Sequence, residues 1–105
     1  MNRYIVIHED ATLDLQEHFN YLAQNSKDNA FLFFDSARQT FAALARMPAM
    51  GRQYESEEED IVNIRKWAVK GFKNYLIFYR YDDQSVQFLR IIYATRDLAP
   101  LLKDL

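Results

Sequence analysis

Apolar residues recur along this chain with two periods. Tyr4-Ile5-Val6-Ile7-His8 is a short β-branched and aromatic run stopped by Glu9-Asp10, which reads as a strand. From Ala11 the period lengthens, and Leu15, Phe19 and Leu22 fall on one helical face. Glu9, Asp10 and Asp14 set negative charge near the positive end of that helix's dipole. The pattern predicts a first helix ending near Asn25. Ser26 is then placed to cap a second helix with Asp28 in its first turn. Phe34, Ala37, Phe41 and Leu44 repeat there at the 3-4-3 spacing of a buried stripe. Pro48 disfavours the α conformation in the residue before it, so this helix stops at Met47. A connection of one or two residues forces the two helices into an antiparallel hairpin, whose joint apolar stripe needs a cover.

Residues 61–69, 73–81 and 85–94 then read as three strands. Lys70-Gly71-Phe72 and Asp82-Asp83-Gln84 supply turns short enough to make neighbours antiparallel. Tyr75, Ile77, Tyr79 and Tyr81 share one face of the middle run, and Leu76, Phe78 and Arg80 share the other. Apolar bulk on both faces makes it a central strand. Ahead of the strands, Gly51 and the acidic run 55–60 read as a loop. Residues 95–105 form either a brief helical turn or an arm broken by Pro100. The expected architecture is α+β: an N-terminal strand and an antiparallel helix hairpin packed on an antiparallel sheet, in the order β-α-α-β-β-β.

Composition narrows the function classes. A chain of 105 residues, 50% hydrophobic and 27% charged, has room for one core, so a single domain over residues 1–105 is expected. Two glycines twenty positions apart build neither a phosphate-cradling loop nor a dinucleotide fingerprint. Without cysteine there is no disulfide, thiolate zinc site or cysteine nucleophile. His8 and His18 have no third ligand beside them, so no metal or cofactor is expected. The four serines lack a nucleophile elbow. The first apolar run is too short for a signal peptide, and no stretch approaches a membrane span, which together imply a cytoplasmic protein. The net charge of −2 hides an asymmetry: residues 1–60 carry 5 basic and 11 acidic side chains, residues 61–105 carry 8 and 4. Wholesale docking on nucleic acid is disfavoured, yet the sheet half is locally basic.

Particular residues add a resemblance. Ala11-Thr12-Leu13-Asp14-Leu15 opens helix one, and Pro48-Ala49-Met50-Gly51 leaves helix two. Ile64-Arg65, Tyr75-Leu76-Ile77-Phe78-Tyr79-Arg80 and Leu89-Arg90-Ile91-Ile92-Tyr93-Ala94-Thr95-Arg96-Asp97 follow in order. Over about residues 4–98 this resembles the toxin component of type II toxin–antitoxin modules in the ParE/RelE superfamily, with the ParE-like branch favoured.

The resemblance implies a toxin of a plasmid-stabilisation or addiction module. Such a toxin inhibits DNA gyrase by binding, without catalysis, and is neutralised by a cognate antitoxin. The alternative branch implies a RelE-like ribosome-dependent messenger RNA endoribonuclease, and a third possibility is a non-toxic member that keeps antitoxin binding. In the nuclease branch Arg65, Tyr93 and Arg96 are the candidate catalytic residues. The stretch Asn74-Tyr75-Leu76 carries no arginine for a phosphate contact, and Tyr93 stands where the ParE-like branch has a histidine. A tyrosine titrating near 10 is a poor base at neutral pH.

Arg80, Arg90, Tyr93 and Arg96 are the candidate contacts with the target. Arg90 interrupts Phe88-Leu89 and Ile91-Ile92, so it needs a partner, for which Asp97 is a candidate. Helix two cannot bury Phe31, Phe33 and Phe34 equally, because consecutive positions point about 100° apart. Phe31, Phe33 and Leu32, with Arg65 on the sheet, are the expected antitoxin contacts.

Overall fold

A computed structural model of the chain describes residues 3–54, 63–94 and 102. Strand β1 (Tyr4–Ile7) leads into α1 (Glu9–Ala23) and α2 (Lys27–Arg46). A single 3-10 turn (Pro48–Met50) and the two-residue β2 (Arg52–Gln53) follow, then β3 (Arg65–Val69), β4 (Phe72–Tyr81) and β5 (Ser85–Tyr93). The helices form one layer on a five-stranded sheet ordered β1-β5-β4-β3-β2. No helix among the described residues is long and apolar enough to cross a membrane.

Helix boundaries follow local chemistry. The Ser26 hydroxyl accepts the Asn29 N–H at 3.1 Å, satisfying one of the orphan donors of α2. Met47 ends α2 with φ −136°, as the following proline requires. Gly71, with φ +79°, makes the two-residue turn from β3 to β4.

The later strands are antiparallel as expected, and the N-terminal strand, whose neighbour the sequence does not specify, makes the sheet mixed. Neighbours among β2, β3, β4 and β5 are antiparallel, but β1 lies parallel to β5 with Tyr4 opposite Ser85 and Ile7 opposite Phe88. The helix hairpin and the later turns reverse the chain an even number of times, so β5 runs in the direction of β1 and takes it as a neighbour. The extra strand β2 covers only Arg65 and Lys66 of β3.

The predicted two faces of β4 are present. Tyr75, Ile77 and Tyr79 join Val86, Phe88 and Ile91 of β5 beneath Leu15, Phe33, Ala37, Phe41 and Leu44. On the opposite face Phe78, Leu89 and Ile92 pack with Ile64 and Leu102. The buried stripe of α2 is rotated from the expected one. Ala30, Phe33, Ala37, Phe41 and Leu44 face the sheet, while Phe34 is 39% exposed. Phe33 is fully buried, which corrects its assignment to an exposed partner patch. Burying such a ring contributes about 2–3 kcal/mol relative to leaving it in water.

Candidate functional site

The candidate residues divide by what holds them. Arg65 on β3 donates from Nη1 to the Gly51 carbonyl at 2.6 Å, and its guanidinium lies 5.6 Å from the Tyr81 ring centroid. The buried Tyr79 hydroxyl donates to the Pro48 carbonyl at 2.7 Å and accepts the Gly51 N–H at 2.9 Å. Burial pushes the Tyr79 phenol up, and the Gly51 bond and the Arg65 charge partly counter it. Together Arg65 and Tyr79 clamp the Pro48-Ala49-Met50-Gly51 exit of α2. That explains the motif physically: a Cβ at Gly51 would lie 2.7 Å from Tyr79 Cζ and closer still to its oxygen.

Arg90 is tied as well. Its Nε donates to Asp14 Oδ2 at 2.7 Å and its Nη2 to Asp14 Oδ1 at 3.0 Å, with only 18% and 11% of the two side chains exposed. The Asp14 hydrogen bonds hold the guanidinium above its ordinary pKa, against the opposing effect of burial. The same Asp14 Oδ2 accepts the Ile91 N–H at 2.9 Å. One turn along α1, His18 Nε2 donates to the Ile91 carbonyl at 2.7 Å. Beyond the His8 N–H to Phe88 carbonyl bond, β1 no longer flanks β5. Asp14 and His18 therefore take up the backbone groups that a longer β1 would have paired. Asp14 was read from the sequence as a helix-dipole charge. The signal pointing elsewhere was its spacing, since Ala11, Asp14, Leu15 and His18 share a helix face.

Tyr93 ends β5 opposite Tyr75, with ring centroids 5.1 Å apart and the His18 ring 4.9 Å from that of Tyr75. Tyr75 titrates above its ordinary value because of burial and then the neighbouring Tyr93 and Tyr21 phenols. The Tyr75 phenol is therefore protonated at neutral pH. Arg65 is registered to Tyr79 and Tyr93 to Tyr75. Four residues along β4 and two strand spacings across separate the Arg65 and Tyr93 backbones by about 16 Å. Arg80 is half-buried on the face of β4 that carries Phe78. Arg96, Asp97, the acidic run 55–60 and the arm after Ala94, apart from Leu102, lie outside the described residues.

On the outer side of the hairpin Phe31 and Leu32 are 59% and 58% exposed, and the Phe31 ring meets Phe19 edge-on at 5.1 Å. Their exposure agrees with the sequence reading of a patch outside the main stripe. No group of three or more metal-ligating side chains occurs among the described residues.

Comparison with known proteins adds family and fold. Residues 5–98 match the family described as ParE toxin of type II toxin-antitoxin system, parDE. A solved structure described as the chromosomal ParDE TA system from P. aeruginosa is similar, with a TM-score of 0.70 at 16% identity. The alignment covers 87% of this chain and 95% of that one. At that identity the likeness concerns the fold. No curated protein sequence matches significantly.

Proposed function

The chain belongs to the ParE toxin family of type II toxin–antitoxin systems, and from this premise we propose that it acts in the cytoplasm by binding and inhibiting DNA gyrase, held inactive by a cognate antitoxin. The observation carrying the binding mode is the dispersal of its candidate catalytic groups. Of the candidates Arg65, Tyr93 and Arg96, Arg65 bonds to the Gly51 carbonyl, Tyr93 ends a strand two places across the sheet among other aromatic rings, and Arg96 lies outside the described residues. A phosphoryl-transfer site needs cations and a proton-transfer group converging on one reacting atom. This dispersal supports stoichiometric inhibition over RNA cleavage.

In this reading Arg80, Tyr93 and Arg96 contact the target, whereas Arg90 acts by fixing β5 against α1. The antitoxin covers the Phe31 and Leu32 side of the hairpin. The test pairs gyrase supercoiling in the presence of purified protein with messenger RNA cleavage on programmed ribosomes. Loss of supercoiling without RNA cleavage is expected. Cleavage on ribosomes overturns the reading in favour of a nuclease. Silence in both assays, with binding to the neighbouring gene's product intact, identifies a member that keeps antitoxin binding and has lost toxicity.

A further inference from the structure

The two edges of the sheet are unlike. At one edge β2 is only Arg52–Gln53 and lies beside Arg65 and Lys66 of β3, so that rim is short and charged. The other edge is β1, Tyr4–Ile7, which carries neither charge nor proline. Tyr4 is 79% exposed, and Ile5, Val6 and Ile7 are 41–45% exposed, so all four apolar side chains meet water. Such a strand lacks the devices by which sheet edges avoid further pairing.

Hydrogen-bond parity shows which groups of β1 are open. The Tyr4 N–H donates to the Gln84 carbonyl and the His8 N–H to the Phe88 carbonyl, both at 2.9 Å, so the even-numbered residues turn their backbone groups to β5. Ile5 and Ile7 turn theirs outward, where no strand among the described residues meets them. Ile5 is opposite Val86 and Ile7 opposite Phe88, both in the core under the helices. These isoleucines therefore lie on the helix side of the sheet, and Tyr4 and Val6 on the outer face. Charge is polarised along the strand: Arg3 precedes it, and exposed Glu9 and Asp10 follow it. Arg3 donates from Nε to the Asp82 carbonyl at 2.6 Å, and its two terminal amino groups have no hydrogen-bond partner among the described residues.

We propose that β1 pairs antiparallel with β1 of a second copy of this chain, about a dyad at Val6. That register sets Ile5 opposite Ile7 of the other copy, and their outward N–H and carbonyl groups bond one another. On the outer face Val6 meets Val6 and Tyr4 meets His8. At both ends Arg3 meets Glu9, whereas parallel pairing in register would set Arg3 against Arg3. A slip by one residue would turn the open groups of Ile5 and Ile7 toward residues already bonded to β5. The edge is thus complementary to itself in backbone, apolar surface and charge, which favours a second copy over an unrelated strand. The interface is smaller than that of a permanent dimer, so reversible association in the micromolar range is expected. The two sheets become continuous, with both outer faces on the same side. This inference does not depend on the toxin reading.

Sedimentation velocity of the purified full chain tests it. Wild-type protein is expected to pass from monomer to dimer as concentration rises through the micromolar range. Val6→Lys sets two ammonium groups together at the dyad, and Ile5→Pro removes an outward N–H that β5 does not use. Each should weaken association at least about tenfold while urea denaturation of the dilute monomer stays near that of wild type. Arg3→Glu and Glu9→Arg should each associate poorly alone and dimerise when mixed, since only the mixture restores both ion pairs. The chain has no cysteine, so Val6→Cys supplies a single thiol. Mild oxidation should join two copies through it, because Cα atoms in such a pair lie about 4.5 Å apart. Wild-type protein that stays monomeric up to about 100 µM overturns the proposal. So does a dimer that survives Val6→Lys and the charge variants unweakened. If the Ile5 and Ile7 amides gain protection from hydrogen exchange only when the product of the adjacent reading frame is added, the edge belongs to a different chain and the proposal falls.

Discussion

The Asp14 carboxylate stands in for a strand at Ile91: its Oδ2 accepts the Ile91 N–H at 2.9 Å where β1 has ceased to flank β5. The same group neutralises Arg90, so one side chain on α1 satisfies a sheet edge and a half-buried cation. Replacing Asp14 with Leu leaves the Ile91 N–H without its acceptor and removes the bidentate carboxylate from Arg90, a loss of about 2–4 kcal/mol. Adding Arg90→Met should restore part of it, because the half-buried guanidinium that Asp14 bonded is then removed as well. Urea denaturation of the two singles and the double gives the coupling, and strict additivity would contradict this account.

Gly51 is required for space and not for backbone freedom. Its φ of −71° suits any residue, yet a Cβ would collide with the Tyr79 ring. Gly51→Ala is expected to destabilise by about 1–3 kcal/mol, the usual cost of overpacking a filled site. Tyr79→Phe removes a buried hydroxyl bonded to Pro48 and Gly51, costing about 1–3 kcal/mol by leaving those groups unpaired. In the Tyr79→Phe background Gly51→Ala should cost less, since the nearest atom is gone while the ring carbons remain close. Thermal denaturation of the four proteins measures this, and an unchanged cost would show that the clash lies elsewhere.

The features readable from the sequence were those fixed by neighbouring residues. Ser26 caps α2, Pro48 ends it, and the alternation from Tyr75 to Tyr81 sorts β4 into two faces. Whatever depended on distant pairing was hidden. Three phenylalanines at 31, 33 and 34 fit a helical stripe in more than one rotation, and the sheet beneath selects Phe33. The parallel β1–β5 pair joins residues about eighty positions apart, set by chain reversals that no local pattern records. Arg65 and Arg90 looked like contacts for an outside partner because a cation is visible in sequence. The Gly51 carbonyl and the Asp14 carboxylate that occupy them become neighbours only in the fold.

The turn from β4 to β5 carries a pH signature. Asp82 Oδ1 accepts the Gln84 and Ser85 N–H groups at 2.8 and 2.9 Å, and these bonds hold its carboxyl below the ordinary 3.8. A carboxyl depressed in the folded state stabilises fully above its unfolded pKa. That stabilisation is lost as pH falls through the lower folded value. Asp82→Asn should therefore lower the melting temperature near neutrality by a margin that shrinks below about pH 4. A margin that instead grows on acidification would rule out the turn bonds as its source.

Phe31 and Phe33 are two residues apart, and the fold gives them opposite fates: Phe31 is 59% exposed and Phe33 fully buried. Phe33→Ser opens a cavity beneath α2 next to Tyr75 and Phe72, so a loss of about 3–5 kcal/mol is expected, enough to threaten folding. Phe31→Ser gives up only an edge contact with Phe19, an interaction worth about 0.5–1.5 kcal/mol. If the hairpin's outer side meets the antitoxin, Phe31→Ser with Leu32→Ser lowers affinity for the adjacent gene's product by about tenfold. The protein should stay folded and still inhibit gyrase. Urea denaturation separates the two phenylalanines, and calorimetry reads the affinity. Unchanged affinity in the exposed-site double variant removes the outer hairpin from the interface without touching the toxin reading, because gyrase inhibition is scored separately.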